Sequence, residues 1–316
     1  MPTRYPPWRT ALQRLRPSRR IRRSMGQGLT SASLSGTGNA RVDAFLETVV
    51  AAASALQAAR KRYDVLSDEY EAEARSCAAD VAARMEPLRV EDFGTSVSEA
   101  VAAASRTAGK RAATDAPIPV SYVHGDERPD WFSIGVFVLP PRACLPPHDH
   151  FGLVVVSKLL YGTAEISALD FLPDASSPQP GRPVDRAQER AQLAQCHLHG
   201  GPAATVVDHA TRHPGDIWSL FPKAGGNVHC ITATEREPCA MLDVLLPPYP
   251  RYTGWPVDAA SELHDCHYYR ATAWRPEAGR QYLERLYSDA HVIVRRTSQP
   301  LFATGSSGRA HHSLRR

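Results

Sequence analysis

The chain has 316 residues, 43% of them apolar, and a net charge of +4; that is long enough for a sizeable core and gives no broad basic surface for nucleic acid. Six cysteines without a CxxC pair argue against a disulfide scaffold and for a reducing compartment. No apolar run has the length of a membrane span, and no apolar stretch follows the basic start as a secretory signal requires.

The first 42 residues carry nine arginines and no acid. Residues 1–39 are rich in Arg, Ser, Gly and Pro and read as a disordered basic leader; the same composition fits an organellar transit peptide. Residues 40–117 read as a helical accessory segment and a linker. From Arg41 to Met85 alanine is dense, Pro and Gly are absent, and Val42, Phe45, Leu46 and Val49 recur at helical spacing. A break at Tyr63–Ser67 divides this segment into two helices. It is expected to pack against a core. Ala100–Lys110 fits a short helix or a linker, ended by Pro117 and Pro119.

Strands then dominate residues 118–295, the expected catalytic domain. Ile118–Val123 is predicted as a strand and His124–Glu127 as a turn. Trp131–Leu139 is a second strand, Ala143–Pro147 an approach loop, Leu153–Tyr161 a third strand and Ala164–Phe171 a fourth. Residues 172–200 read as a surface insertion, with a short helix at Arg186–Leu198. Further strands fall at Ala204–His209, Ile217–Phe221, His229–Ala233, Cys239–Leu245 and Cys266–Ala273. A helix is predicted at Ala278–Leu286, a short apolar piece at Val292–Val294, and a loose basic tail over 296–316. Many short strands punctuated by turn residues point to a sandwich or barrel rather than a parallel sheet.

One residue separates His148 from His150, so on an extended strand both imidazoles leave the same face. Such a pair is half of a metal site. His229 follows the turn Pro222-Lys223-Ala224-Gly225-Gly226-Asn227-Val228 and is the third candidate ligand. Asp149 points the opposite way and is not expected to be a ligand. Lys158 reads as a structural charge. A His-x-His strand facing a later Gly-then-His strand is the arrangement of a cupin barrel. Cupins usually place a glutamate four residues after the second histidine; here that place is Val154, so the donors are three neutral imidazoles.

The resemblance then becomes specific. Phe132 to Pro141, Leu145 to Gly152, Ser157 to Thr163, Pro222 to Cys230, Leu242-Asp243-Val244-Leu245 with Pro247-Pro248-Tyr249, and Cys266 to Arg270 resemble the thiol dioxygenases of the plant cysteine oxidase and 2-aminoethanethiol (cysteamine) dioxygenase family. The resemblance covers roughly residues 118–270, in order. It implies a mainly β fold, a cupin-type double-stranded β-helix (jelly-roll barrel) with an N-terminal helical segment. It implies Fe(II) held by His148, His150 and His229, with three coordination positions left for the substrate's thiolate and amine and for O₂. Asp243 and Tyr249 match residues that matter for activity in the family. Cys266 and Tyr268 match positions where some members form a thioether.

The implied reaction is oxidation of the N-terminal cysteine of proteins or peptides to cysteine sulfinic acid, with a role in oxygen sensing through an N-degron pathway. Small thiols such as cysteamine are the alternative substrates, and a non-catalytic metal-binding cupin is the alternative of a different class. The expected partners are O₂ and the thiol, without nucleic acid or membrane. The chain is expected to be a monomer of cytoplasm or nucleus, with organellar targeting by the leader left open. Three departures from the family's pattern stand out: Phe151 where it has proline, Thr234-Glu235-Arg236-Glu237 lengthening a hairpin, and the insertion 172–200.

Overall fold

The computed structural model describes residues 37–107, 118–128, 130–150, 152–171, 203–249, 266–271, 280–286 and 293–302. The chain divides into two units, Met1–Ser33 and Leu34–Arg316, and the described residues all belong to the second. The leader up to residue 36, Phe151, the insertion and its helix, and the tail beyond 302 lie outside the described residues.

Two helices open the described chain, α1 (Ala40–Arg62) and α2 (Asp68–Met85). Each start is built by local chemistry. The Asn39 side chain accepts from the Arg41 amide at 3.0 Å, and the Ser67 hydroxyl accepts from the Tyr70 amide at 3.1 Å. Asp68, Glu69 and Glu71 then place negative charge at the positive end of α2. The break falls where the sequence places it. A third helix, α3 (Ser96–Thr107), resolves the choice left open around Ala100. By length and composition alone α1 could cross a membrane, which corrects the reading that nothing reaches that length. Here its apolar stripe, Phe45, Val49 and Leu56 included, lies in the core.

Among the described residues twelve strands follow. β1 is Val120–Arg128, β2 Phe132–Leu139, β3 Cys144–Asp149, β4 Val154–Tyr161, β5 Ala164–Phe171 and β6 Ala203–Arg212. β7 is Ile217–Leu220, β8 Val228–Ala233, β9 Cys239–Leu246, β10 Tyr268–Ala271, β11 Arg280–Leu286 and β12 Val294–Arg296. One sheet has the order β12-β1-β2-β9-β4-β7. The other runs β10-β11-β6-β5-β8-β3 and closes as β3 pairs with β10. Strands β2 to β9 therefore alternate between the sheets except at the β5–β6 hairpin, in the orders 2-9-4-7 and 3-8-5-6. That is the double Greek key of a jelly roll, the double-stranded β-helix expected from the sequence.

The helices cover the outer face of the first sheet. On β9, Leu242, Val244 and Leu246 pack with Phe45, Tyr70 and Val81 of the helices, while Cys239, Met241 and Leu245 face inward, against Ile166 and Ile231 of the second sheet. This strand is thus largely apolar on both faces, as is β4, and for that reason both read in sequence as predominantly apolar runs, broken by Asp243 in β9 and Ser157-Lys158 in β4. Each such buried side chain contributes about 1.5–3 kcal/mol. Lys158 is the charged exception on β4. Its ammonium donates to the carbonyls of Met85, Glu86 and Leu88, capping the end of α2 and pinning it to the sheet.

Three expectations need correction. The approach loop Ala143–Pro147 belongs largely to β3. Pro146 and Pro147 lack amide protons, and the ladder to β8 absorbs them in a register shift between Leu145 and His148. The predicted turn His124–Glu127 lies inside β1, where the register to β2 shifts across Gly125-Asp126. The predicted helix Ala278–Leu286 is strand β11, paired to β10 on one side and β6 on the other; strand pairing with a fully buried Leu283 outweighs its helix-forming composition. Packed structure also continues past 296, since Leu301 is fully buried and its amide donates to His124.

Candidate metal centre

His148 and His229 are register partners across β3 and β8. Strand alternation puts His229 on the face of β8 that carries Ile231 and Ala233, which looks into the space between the sheets. His150 stands just past the end of β3. Asn227 fastens it there: the His150 amide donates to the Asn227 carbonyl at 3.1 Å, and Asn227 Nδ2 donates back to the His150 carbonyl at 2.9 Å. The turn before His229 is held in the same way. Asp170, at the end of β5, accepts from the amides of Gly225 at 2.8 Å and Gly226 at 2.6 Å.

The three ring nitrogens converge. His229 Nε2 lies 2.9 Å from His150 Nε2 and 3.0 Å from His148 Nε2. Among the described residues this is the one group of three side chains arranged to hold a metal. Hydrogen bonds at the far side of two rings fix their tautomers. His148 Nδ1 lies 2.8 Å from the Pro146 carbonyl, which can only accept. Tyr249 Oη donates to the Asp149 carbonyl at 2.8 Å, so His150 Nδ1, 2.5 Å away, must donate to Tyr249. Both Nε2 atoms therefore carry lone pairs aimed at His229. A single proton on His229 could satisfy one of them; a cation satisfies all three. His229 Nδ1 is buried without a hydrogen-bond partner among the described residues.

The donors are neutral. Burial holds His150 and His229 well below the ordinary imidazole value, and the neighbouring imidazoles push further in that direction. His148 is lowered by burial too, against the pull of the Pro146 carbonyl and of Asp149. Neutral imidazoles are the form that binds transition metals. The residues thus fit a first-row transition ion with nitrogen ligands. Val154, at the usual place of the cupin glutamate, is buried toward the helices and supplies no oxygen.

Of the other expected residues, Tyr249 joins the centre directly through His150. Tyr268 is the register partner of His148, with ring centroids 5.7 Å apart. Cys266 hydrogen-bonds Tyr249 and forms no disulfide among the described residues. Burial raises the Tyr249 hydroxyl well above the usual phenol value, with Cys266 and Asp149 adding to the effect. Asp243 is buried on the inward face of β9, and its hydrogen-bond partner is the Ser157 hydroxyl at 2.6 Å rather than an imidazole. Burial pushes its carboxyl up to about 7, against the Ser157 hydrogen bond.

Asp149 is not a ligand, as its direction in the strand predicts, yet it has a structural role that sequence reasoning missed. Its carboxylate accepts from the His267 amide at 2.9 Å, from His267 Nδ1 at 2.9 Å and from Tyr269 Oη at 2.7 Å. It thereby ties β10 across the ligand strand. An acid inside an otherwise apolar strand entry was the available signal. Asn227 and Asp170 carried no comparable one.

Comparison with known proteins adds the last observation. The family profile PCO_ADO matches residues 85–303. Plant cysteine oxidase 1 of Arabidopsis thaliana is 38% identical over 131 residues, covering 42% of this chain and 38% of that protein. The 2-aminoethanethiol dioxygenase of Homo sapiens is 35% identical over 163 residues, covering 48% of this chain and 52% of that protein. The matches thus span about half or less of these relatives' lengths. Among solved structures, an oxalate oxidase in complex with glycolate aligns at a TM-score of 0.27 and 12% identity, over 44% of this chain and 56% of that one; at that level it carries no argument.

Proposed function

Because the chain belongs to the PCO_ADO family, we propose that it is an iron-dependent thiol dioxygenase that oxidises the N-terminal cysteine of proteins or peptides to cysteine sulfinic acid. The observation that carries this reading is the convergence of three neutral imidazoles with no carboxylate among them. Fe(II) held by His148, His150 and His229 would supply Lewis acidity toward a thiolate and a site for O₂. Neutral donors leave the ion's charge undiminished, which favours an anionic sulfur ligand.

The protein's own residues do the rest. Tyr249 and the Pro146 carbonyl fix two ligand rings from behind, so the lone pairs are aimed before substrate arrives. Asp243 is assigned to the substrate's amine: one carboxyl oxygen is engaged by Ser157 and the other can accept from an ammonium. The overall change balances without an external reductant, since one thiol and one O₂ give one sulfinic acid. On a protein N-terminus this would be an oxygen-dependent mark, and the role proposed for it is oxygen sensing in cytosol or nucleus.

The test is a competition in air between a peptide beginning in cysteine and cysteamine, with the iron-loaded full chain and mass spectrometry of both thiols. A gain of two oxygen atoms on the peptide supports the proposal. Product from cysteamine alone reassigns the enzyme to small thiols. No product from either, with iron bound, leaves a metal-binding cupin without this activity.

A further inference from the structure

Two side chains of the α1–α2 hairpin reach past the sheet it covers and end on the loops that carry metal ligands. Arg60, in the last turn of α1, donates through Nη2 to the carbonyl of Gly152, two residues beyond His150, and through Nε to Tyr70 Oη of α2 at 3.1 Å. Arg75, on α2, donates to the carbonyl of Ala224, five residues before His229, at 3.0 Å. It also lies over the Phe221 ring, 4.2 Å from its centroid, and Glu71 holds it on the helix side at 2.6 Å. Between the two loops stands Asn227, bonded to His150 at both main-chain groups and two residues from His229.

We propose that Arg60 and Arg75 are positioning residues of the metal centre, and that the hairpin fixes the separation of His150 and His229 from outside the barrel. This rests on reading the three histidines as a metal site. The hairpin ends where the family match begins, at residue 85, so the device lies outside the region the profile describes. Apolar packing alone would let a helix shift along a sheet. A guanidinium bonded to a main-chain carbonyl fixes the register, and its rigid planar fork holds its acceptors in one geometry, which the freely rotating ammonium of a lysine does less strictly. Arg62, by contrast, lies in the same last turn of α1 but pairs with Glu73 on the exposed surface.

The experiment uses the metal-free full chain with cobalt(II) as a spectroscopic probe, beside thermal unfolding without metal. Arg60→Met and Arg75→Met are each expected to weaken cobalt affinity roughly 10-fold, and the double variant to change the ligand-field spectrum. Arg62→Met should leave both as they are. Should a methionine variant fail to fold, Arg60→Lys and Arg75→Lys carry the test, with the same loss expected in smaller measure. Unchanged affinity and spectrum in folded variants, whatever their melting temperatures, would overturn the proposal alone. A parent chain that takes up no cobalt would overturn the metal reading as well.

Discussion

Tyr249 shows how much one hydroxyl can organise. It accepts from His150 Nδ1 and donates to the Asp149 carbonyl. Tyr249→Phe leaves a buried imidazole N–H without an acceptor, at a cost of about 1–3 kcal/mol. Metal affinity is expected to fall roughly 10-fold or more, read by anaerobic titration of the metal-free protein. Asp243 gives a prediction in pH. Its carboxyl keeps a proton up to about 7 in the folded chain, but only to about 4 when unfolded. Across that window the folded state binds more protons at this carboxyl, so the contribution of Asp243 to stability is greatest at the acid end and falls as pH rises toward 7. The ligand imidazoles, held below their ordinary value, act in the opposite sense at the acid end, so the Asp243 share is read as a difference: in thermal melts of the metal-free protein, the stability of the parent chain relative to Asp243→Asn should fall as pH rises toward 7. The ligand histidines were legible from spacing and from resemblance. The residues that hold them were not, because Asn227 and Asp170 act through main-chain groups, and nothing in a one-dimensional pattern shows which amide or carbonyl a side chain will meet.

At the scale of elements, apolar periodicity placed the helices and the central strands well. It failed where two proline residues sit in a strand, at β3, and where good helix formers are recruited into a sheet, at β11. In both cases pairing on neighbouring strands decided the outcome, and pairing is a non-local property. The turn before His229 is set by shape as much as by hydrogen bonds. Gly226 has φ of +87°, and a Cβ there would stand 2.4 Å from Ala168 Cβ, beneath the ligand strand. Gly226→Ala should destabilise the protein by about 2–4 kcal/mol, from left-handed strain plus overpacking. Ala168→Gly in the same chain should recover the packing share only; midpoints of urea unfolding measure both. Lys158→Met removes the donor to three carbonyls at the end of α2. We expect a loss of about 1–3 kcal/mol in the same assay, with cobalt affinity kept.

Over the whole molecule, one sheet is sandwiched between helices and the second sheet, and the ligands gather where the strands of the second sheet meet the loops. The fold class was readable because the double Greek key repeats short strands with turn residues between them. The metal centre draws on β3, on β8, and on the loops after β3, before β8 and after β9. The central proposal is that these three neutral imidazoles would hold an ion supplying the site for transfer of both atoms of O₂ to a thiol. The direct measurement supplies heavy-isotope dioxygen to the iron-loaded chain with a peptide beginning in cysteine, and reads the product mass beside a His229→Ala control. Two heavy oxygen atoms on the sulfur, absent with His229→Ala, are the predicted result. A product carrying only solvent oxygen, or only a disulfide, would contradict it.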